Sequence, residues 1–130
     1  MNTTACPCES GKAYLQCCGR FLELNETAPT AEALMRSRYT AYVQANENYL
    51  LDSWHASTRP ASLNLSESQP DQWLGLKIIR THAGAQQDAQ GTVEFVARYK
   101  VKGKAGRVHE VSEFMHEAGR WFYVKGTLLE

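Results

Sequence analysis

The sequence predicts an α+β fold: helices first, then a curved antiparallel meander of four strands, with a small cysteine-rich knuckle ahead of both. Three observations carry this. All four cysteines of the 130-residue chain fall between positions 6 and 18. Apolar residues then recur at helical spacing through Met35, Tyr39, Tyr42 and Val43. From Trp73 onward the apolar period becomes two, punctuated by short glycine-containing turns.

Cys6, Cys8, Cys17 and Cys18 are spaced C-x-C-x8-C-C. Four soft ligands this close can enclose one tetrahedral ion, with Ser10-Gly11 as the turn that folds the second pair back onto the first. Gly19 is placed to leave the site with positive φ. The competing reading is disulfides. A Cys6–Cys8 bridge closes a tight loop and a Cys17–Cys18 bridge needs a strained ring, while longer pairs such as Cys6–Cys17 belong to an oxidising compartment. The stretch Met1 to Cys6 has neither a basic start nor an apolar run, so no signal peptide is expected and a reducing cytoplasm is the expected location. Thiolates select zinc, with iron as the alternative. Four protein ligands leave no position for water, the pattern of a structural site, and Cys18 is the weakest of the four assignments.

After a polar connector from Glu23 to Pro29, Thr30 is placed to cap a helix, with Glu32 in its first turn. Arg36, Gln44 and Glu47 fall on its polar side, and Asn46 is expected to break it. A second short helix carries Tyr49, Leu50, Leu51 and Trp54. Residues 55–72 are rich in turn formers, and Pro60 can open one helical turn through Leu63 and Leu65. The expected strands begin at Trp73, run through Val93–Val101 and Val108–His116, and end with Trp121–Lys125. Turns are expected at 83–91, 103–106 and 118–119. Val93, Phe95, Ala97, Tyr99 and Val101 share one face. On the third strand Glu110, Ser112 and Phe114 share one face and His109, Val111, Glu113 and Met115 the other. Each face mixes polar with apolar residues, so either can point inward.

Fourteen basic and fourteen acidic side chains cancel, so no global charge gathers nucleic acid or anionic membrane. No apolar run is long enough to span a bilayer. The hydrophobic content, 43%, is enough for a real core.

The stretch Cys6-Pro7-Cys8-x-Ser10-Gly11-Lys12-x-Tyr14-x-x-Cys17-Cys18-Gly19 resembles the SEC-C motif, a zinc-binding element named for the C-terminus of the SecA translocation ATPase. SecA usually ends the motif in Cys-His, whereas this chain has Cys-Cys, and Glu9 stands where glycine is common. Leu34-Met35-Arg36-Ser37-Arg38-Tyr39, Trp54-His55, Trp73-Leu74-Gly75-Leu76, Phe95-Val96-Ala97-Arg98-Tyr99 and Trp121-x-Tyr123-Val124-x-Gly126 match, in order, the bacterial YchJ-like family. This resemblance implies a SEC-C knuckle over residues 1–24 and a cone-shaped domain similar to nuclear transport factor 2 over residues 25–130.

Resemblance to the SecA knuckle, an adaptor for export chaperone and ribosome, implies a non-enzymatic module that takes a protein partner in protein biogenesis. Two alternatives remain. A cone can hold a small molecule or carry enzymatic chemistry, with Trp54, His55, Trp73, Glu110 and Ser112 as the candidate pocket residues. No nucleophile–base pair, phosphate loop or metal triad supports catalysis, so no catalytic residue is assigned. Arg98, Lys100, Lys102, Lys104 and Arg107 form a basic hairpin, either a solvated edge or a docking patch for RNA or acidic protein.

Overall fold

The structure, a computed structural model, describes residues 4–65 and 69–129. A 3-10 turn, Tyr14–Gln16, and a short helix α1, Gly19–Leu22, follow the first cysteine pair. Helices α2, Ala31–Val43, and α3, Glu47–Asp52, precede strands β1, Gln72–Ala83, β2, Gln90–Val101, β3, Lys104–Glu117, and β4, Arg120–Leu128. The strands form one antiparallel meander in the order β1-β2-β3-β4. The α+β architecture is therefore the one expected.

Helix α2 starts as predicted: the Thr30 hydroxyl accepts from the Ala33 amide at 3.1 Å. Thr30→Ala should cost about 1 kcal/mol, the usual worth of such a cap, measurable by urea unfolding. Asn46 does not break α2. The chain turns at Ala45, with φ 55°, and Asn46 caps α3 by accepting from Tyr49 at 3.1 Å. Residues 60–64 are not helical; Leu65 is, and residues 66–68 of the expected turn lie outside the described residues.

The buried side of α2 is wider than the sequence pattern suggests. Leu34, Met35, Ser37, Arg38, Tyr39, Thr40 and Ala41 are all buried, whereas Val43, expected inside, is exposed. The helix lies between the sheet, α3 and the cysteine segment, so little of its circumference meets solvent. Polar residues on it must then find partners. Ser37 hydrogen-bonds Leu34 O at 2.8 Å and the Tyr49 hydroxyl at 2.7 Å, which fixes α3 against α2.

The strands are longer than predicted because the turns are tighter. Val101 pairs with Lys104 around Lys102-Gly103, and Glu117 pairs with Arg120 around Ala118-Gly119. All four turn residues have positive φ, as a two-residue hairpin turn of the primed type requires. Bulges interrupt β1 at Leu74 and Ile79 and β4 at Val124, opposite Glu113 and Phe114 of β3. Such bulges bend a strand and raise its twist. The bulge at Leu74 also places Trp73 on the same face as Leu76, which strict alternation forbids.

The concave face carries Leu76, Val93, Phe95, Ala97 and Phe114, all buried beneath α2. On β3 the inward set is Glu110, Ser112 and Phe114, opposite Phe95, Val93 and Gly91. The outward set includes His109 and Glu94, joined at 2.7 Å, with Arg80 on the same carboxylate at 3.0 Å. No helix among the described residues is long and apolar enough to cross a membrane.

Candidate metal centre

The cysteine segment is a miniature hairpin. Ala5 pairs with Ala13, the Cys6 amide donates to Lys12 O at 2.9 Å, and the Glu9 amide donates to Cys6 O at 3.1 Å. Glu9 and Gly11 take φ values of 61° and 89° at the tip, so the turn at Ser10-Gly11 is present. The conformation at Glu9 is one that glycine adopts without cost, which accounts for glycine at this place in the motif. Gly19 corrects the expectation of positive φ: it opens α1 with ordinary helical geometry. Its lack of a side chain matters for space instead, because a Cβ there would lie 2.7 Å from Tyr14 O.

This folding brings the four sulfurs within 4.8 Å of one another, with Cys8 and Cys17 at 3.6 Å. All four cysteines are buried and none is in a disulfide. A tetrahedral tetrathiolate site with bonds of about 2.3 Å sets its sulfurs about 3.8 Å apart, so the donor set fits one metal ion. Without a cation the buried thiols must share protons. Hydrogen bonds from Cys18 and Cys8 hold Cys6 low, while the bond to Cys6, the bond to Cys8 and burial push Cys18 up. A bound divalent ion removes this conflict by deprotonating the set.

Polar groups surround the sulfurs. The Ser10 hydroxyl lies 3.0 Å from Cys17 Sγ and the buried Thr40 hydroxyl 3.9 Å from Cys6 Sγ. Arg36 Nη1 donates to Cys8 O at 3.0 Å and approaches Cys8 Sγ at 3.7 Å, while Arg36 Nε binds Glu32 at 3.0 Å. Arg36 was expected to point away, but it reaches over the knuckle because that face of α2 covers the cysteines. Such outer partners orient thiolates and spread their charge. The spacing of Glu32, Arg36 and Thr40 at i, i+4 and i+8 was the signal for this face. Arg20 donates to Cys17 O at 3.0 Å and covers the Phe21 ring at 4.8 Å.

The cysteines belong to the same buried cluster as Phe21, Leu34, Met35, Tyr39, Leu76 and Trp121. A further link crosses to the sheet: Glu9 and Arg98 form an ion pair at 3.5 Å, over the backbone of Gly75. Beside the thiols is a groove of about 360 Å³ whose walls include Lys12, Arg20, Phe21, Glu32, Ala33 and Arg36.

The other candidate residues separate. Trp73, Glu110 and Ser112 line a concave-face cavity of about 200 Å³, walled by Tyr39, Tyr42, Phe95 and Tyr123 among others. Trp54 and His55 stand apart from that lining, because residues 53–55 attach to the edge of β4 through Tyr123 N to Ser53 O and His55 N to Tyr123 O. Trp54 then packs edge-on to the Tyr123 ring at 4.9 Å, and His55 pairs with Glu117 at 3.1 Å and Ser57 at 2.7 Å. In the basic hairpin, Arg98 stands opposite Arg107 and Lys100 opposite Ala105, on the outer face. Lys104 pairs with Val101 on the inner face, and Lys102 holds the tip with its amide on Asp71 at 2.6 Å. The five cations therefore form no single stripe, and Arg98 is engaged by Glu9.

Fold and site together define an α+β protein in which a cone-like antiparallel sheet, covered by helices, is joined to four clustered thiols that could hold a metal ion. The family profile described as "YchJ, middle NTF2-like domain" matches residues 30–126, and the SEC-C motif matches residues 3–20. The chain belongs to this YchJ-like, SEC-C-containing family. A "UPF0225 protein" of Chromobacterium violaceum is 55% identical over 126 residues, covering 95% of this chain and 93% of the relative. The solution structure of a SEC-C motif containing protein from Rhodopseudomonas palustris superposes with a TM-score of 0.85 at 33% identity, covering 100% of both chains. The crystal structure of a SEC-C motif containing protein from Psychrobacter arcticus shares the fold, with a TM-score of 0.74 at 21% identity over 99% of this chain and 85% of that one.

Proposed function

We propose that this chain is a zinc-binding, non-enzymatic interaction module of the cytoplasm, whose knuckle face takes a protein partner. The observation that carries this reading is the closed, buried set of four thiols beside a groove with cationic walls. Four thiolates leave the ion no open coordination position, so the metal shapes a surface and activates no water. Soft ligands in tetrahedral number favour zinc over harder ions, with iron the competing occupant. Arg36 is engaged by Glu32 and Arg20 by Cys17 O, which leaves Lys12 as the available cation beside Phe21 and Ala33. An acidic protein segment with an apolar anchor suits that chemistry. The likeness to the SecA knuckle points to a partner in protein biogenesis.

The test compares purified zinc-loaded protein with the charge reversal Lys12→Glu, which leaves the Arg20 contact to Cys17 O in place, each used to capture partners from bacterial lysate. The variant is expected to keep its metal and lose the partner. Lys102→Glu/Lys104→Glu on the hairpin is expected to keep both. Capture that fails only in the hairpin variant and weakens steeply with salt would contradict the knuckle reading and favour RNA binding.

A further inference from the structure

The concave-face cavity holds two opposite charges that do not neutralise each other. Arg38 lines it from α2 while only 3% exposed. Its Nη1 donates to Leu50 O at 2.7 Å and Ser53 Oγ at 2.6 Å, and its guanidinium lies over the rings of Tyr123 at 4.5 Å and Trp54 at 5.1 Å. Among the described residues no carboxylate lies within 4.0 Å of it. Glu110 lines the same cavity from β3, accepting from the Ser112 hydroxyl at 3.0 Å, and likewise has no cation within that distance. Its side chain fits over β4 because Gly126 lies beneath it; a Cβ there would be 2.0 Å from the carboxylate.

Burying a charge is costly unless something of opposite sign reaches it, and here the buried charge is Arg38, Glu110 being half-buried at the cavity wall. Neutral acceptors and aromatic faces offset part of the cost at Arg38. No direct Arg38–Glu110 pair forms, and Met35, Tyr39, Tyr42, Phe95 and Tyr123 line the cavity that both reach. A wider groove of about 420 Å³, lined by Gln69, Pro70, Tyr99 and Val101, shares Tyr42, Trp73 and Val108 with the cavity.

We propose that this cavity is a binding site for a small zwitterion of the amino-acid class, with its carboxylate on Arg38, its ammonium on Glu110 and Ser112, and its apolar body among the aromatic walls. The volume sets the size. A cavity of about 150 Å³ accommodates benzene, so one of about 200 Å³ suits a ligand of roughly eight to ten heavy atoms. The site is independent of the knuckle groove and does not rest on the partner proposed there.

L-leucine, 4-methylpentanoate and 3-methylbutylamine separate the contributions, since the second lacks the ammonium and the third the carboxylate. Each is titrated into the full-length, metal-loaded protein, followed by tryptophan fluorescence and by amide shifts of residues in β2 and β3. L-leucine is expected to bind at least about tenfold more tightly than either analogue, as one charge-assisted hydrogen bond warrants. Glu110→Gln keeps the side-chain shape and is expected to weaken L-leucine about tenfold without weakening 4-methylpentanoate. Arg38→Lys is the companion variant, expected to weaken both carboxylates while leaving the amine unchanged. No saturable shift with L-leucine up to 10 mM (about the weakest binding worth measuring) would overturn the proposal. So would equal affinity for the three probes, or binding that Glu110→Gln leaves unchanged.

Discussion

Cys8→Ser is expected to abolish stoichiometric metal binding and to loosen more than the segment that carries it. The sequence alone suggests that losing the ion unfolds residues 1–24 and spares the rest, because metal binding supplies the folding energy of a small knuckle. The packing leads to a different expectation. Cys8 is fully buried, Arg36 of α2 holds its carbonyl, and Thr40 of α2 faces Cys6. Without the ion, three thiols and the new hydroxyl crowd beneath that helix and Arg36 loses its anionic neighbour. We expect a loss of roughly 3–5 kcal/mol, comparable to removing a native cross-link, and a melting temperature lower by about 10–15 °C. Amide exchange in the variant should rise in residues 4–24 and in α2, and stay slow in β2 and β3. Faster exchange confined to residues 4–24 would show that the knuckle is an autonomous appendage.

The second large effect is expected far from the metal, at Trp121. It is 2% exposed, stacks on His116 at 4.6 Å, and donates from Nε1 to Pro29 O at 3.1 Å. It thereby fixes the chain entering α2 to the last hairpin of the sheet. Trp121→Ala should cost about 3–5 kcal/mol, the range for large buried aromatics. Trp121→Phe retains most of the apolar volume but leaves Pro29 O without its donor, and should cost about 1–2 kcal/mol. Trp73→Ala should cost less than Trp121→Ala, since Trp73 is only partly buried and its walls, Tyr39, Tyr42 and Tyr99, meet it edge-on or tilted at 5.8–6.2 Å. Urea unfolding of the three variants measures the order directly. A Trp121→Ala loss below about 1 kcal/mol would mean that this contact does not anchor the helix.

Local chemistry was the legible part of the sequence. Thr30 announces a helix start, the cysteine spacing announces a shared ion, and Val93, Phe95 and Ala97 announce the inner face of β2. Each of these signals depends on a residue and its near neighbours. What the sequence hid depends on register and on partners distant along the chain. Trp73 joins the face of Leu76 only through the bulge at Leu74. Glu110 can face inward because Gly126, sixteen positions later, leaves room for it. Arg36 looked like a solvent-facing residue because its acceptor, Cys8, lies twenty-eight positions earlier. Arg38 sits in a stretch whose family likeness was plain, yet nothing in its spacing shows that it is buried over the cavity. Trp54-His55 was also conspicuous, but the free edge of β4 takes both residues away from the cavity.

Metal stoichiometry measured on the intact protein tests the central claim most directly. Native mass spectrometry of chain expressed and purified without added metal, paired with elemental analysis, should find about one zinc per chain, the complement of one tetrathiolate site. The four thiols should resist alkylation until a chelator is added, and all four should then react. Metal-free chain with four thiols reactive from the outset, or with two disulfides, would contradict it.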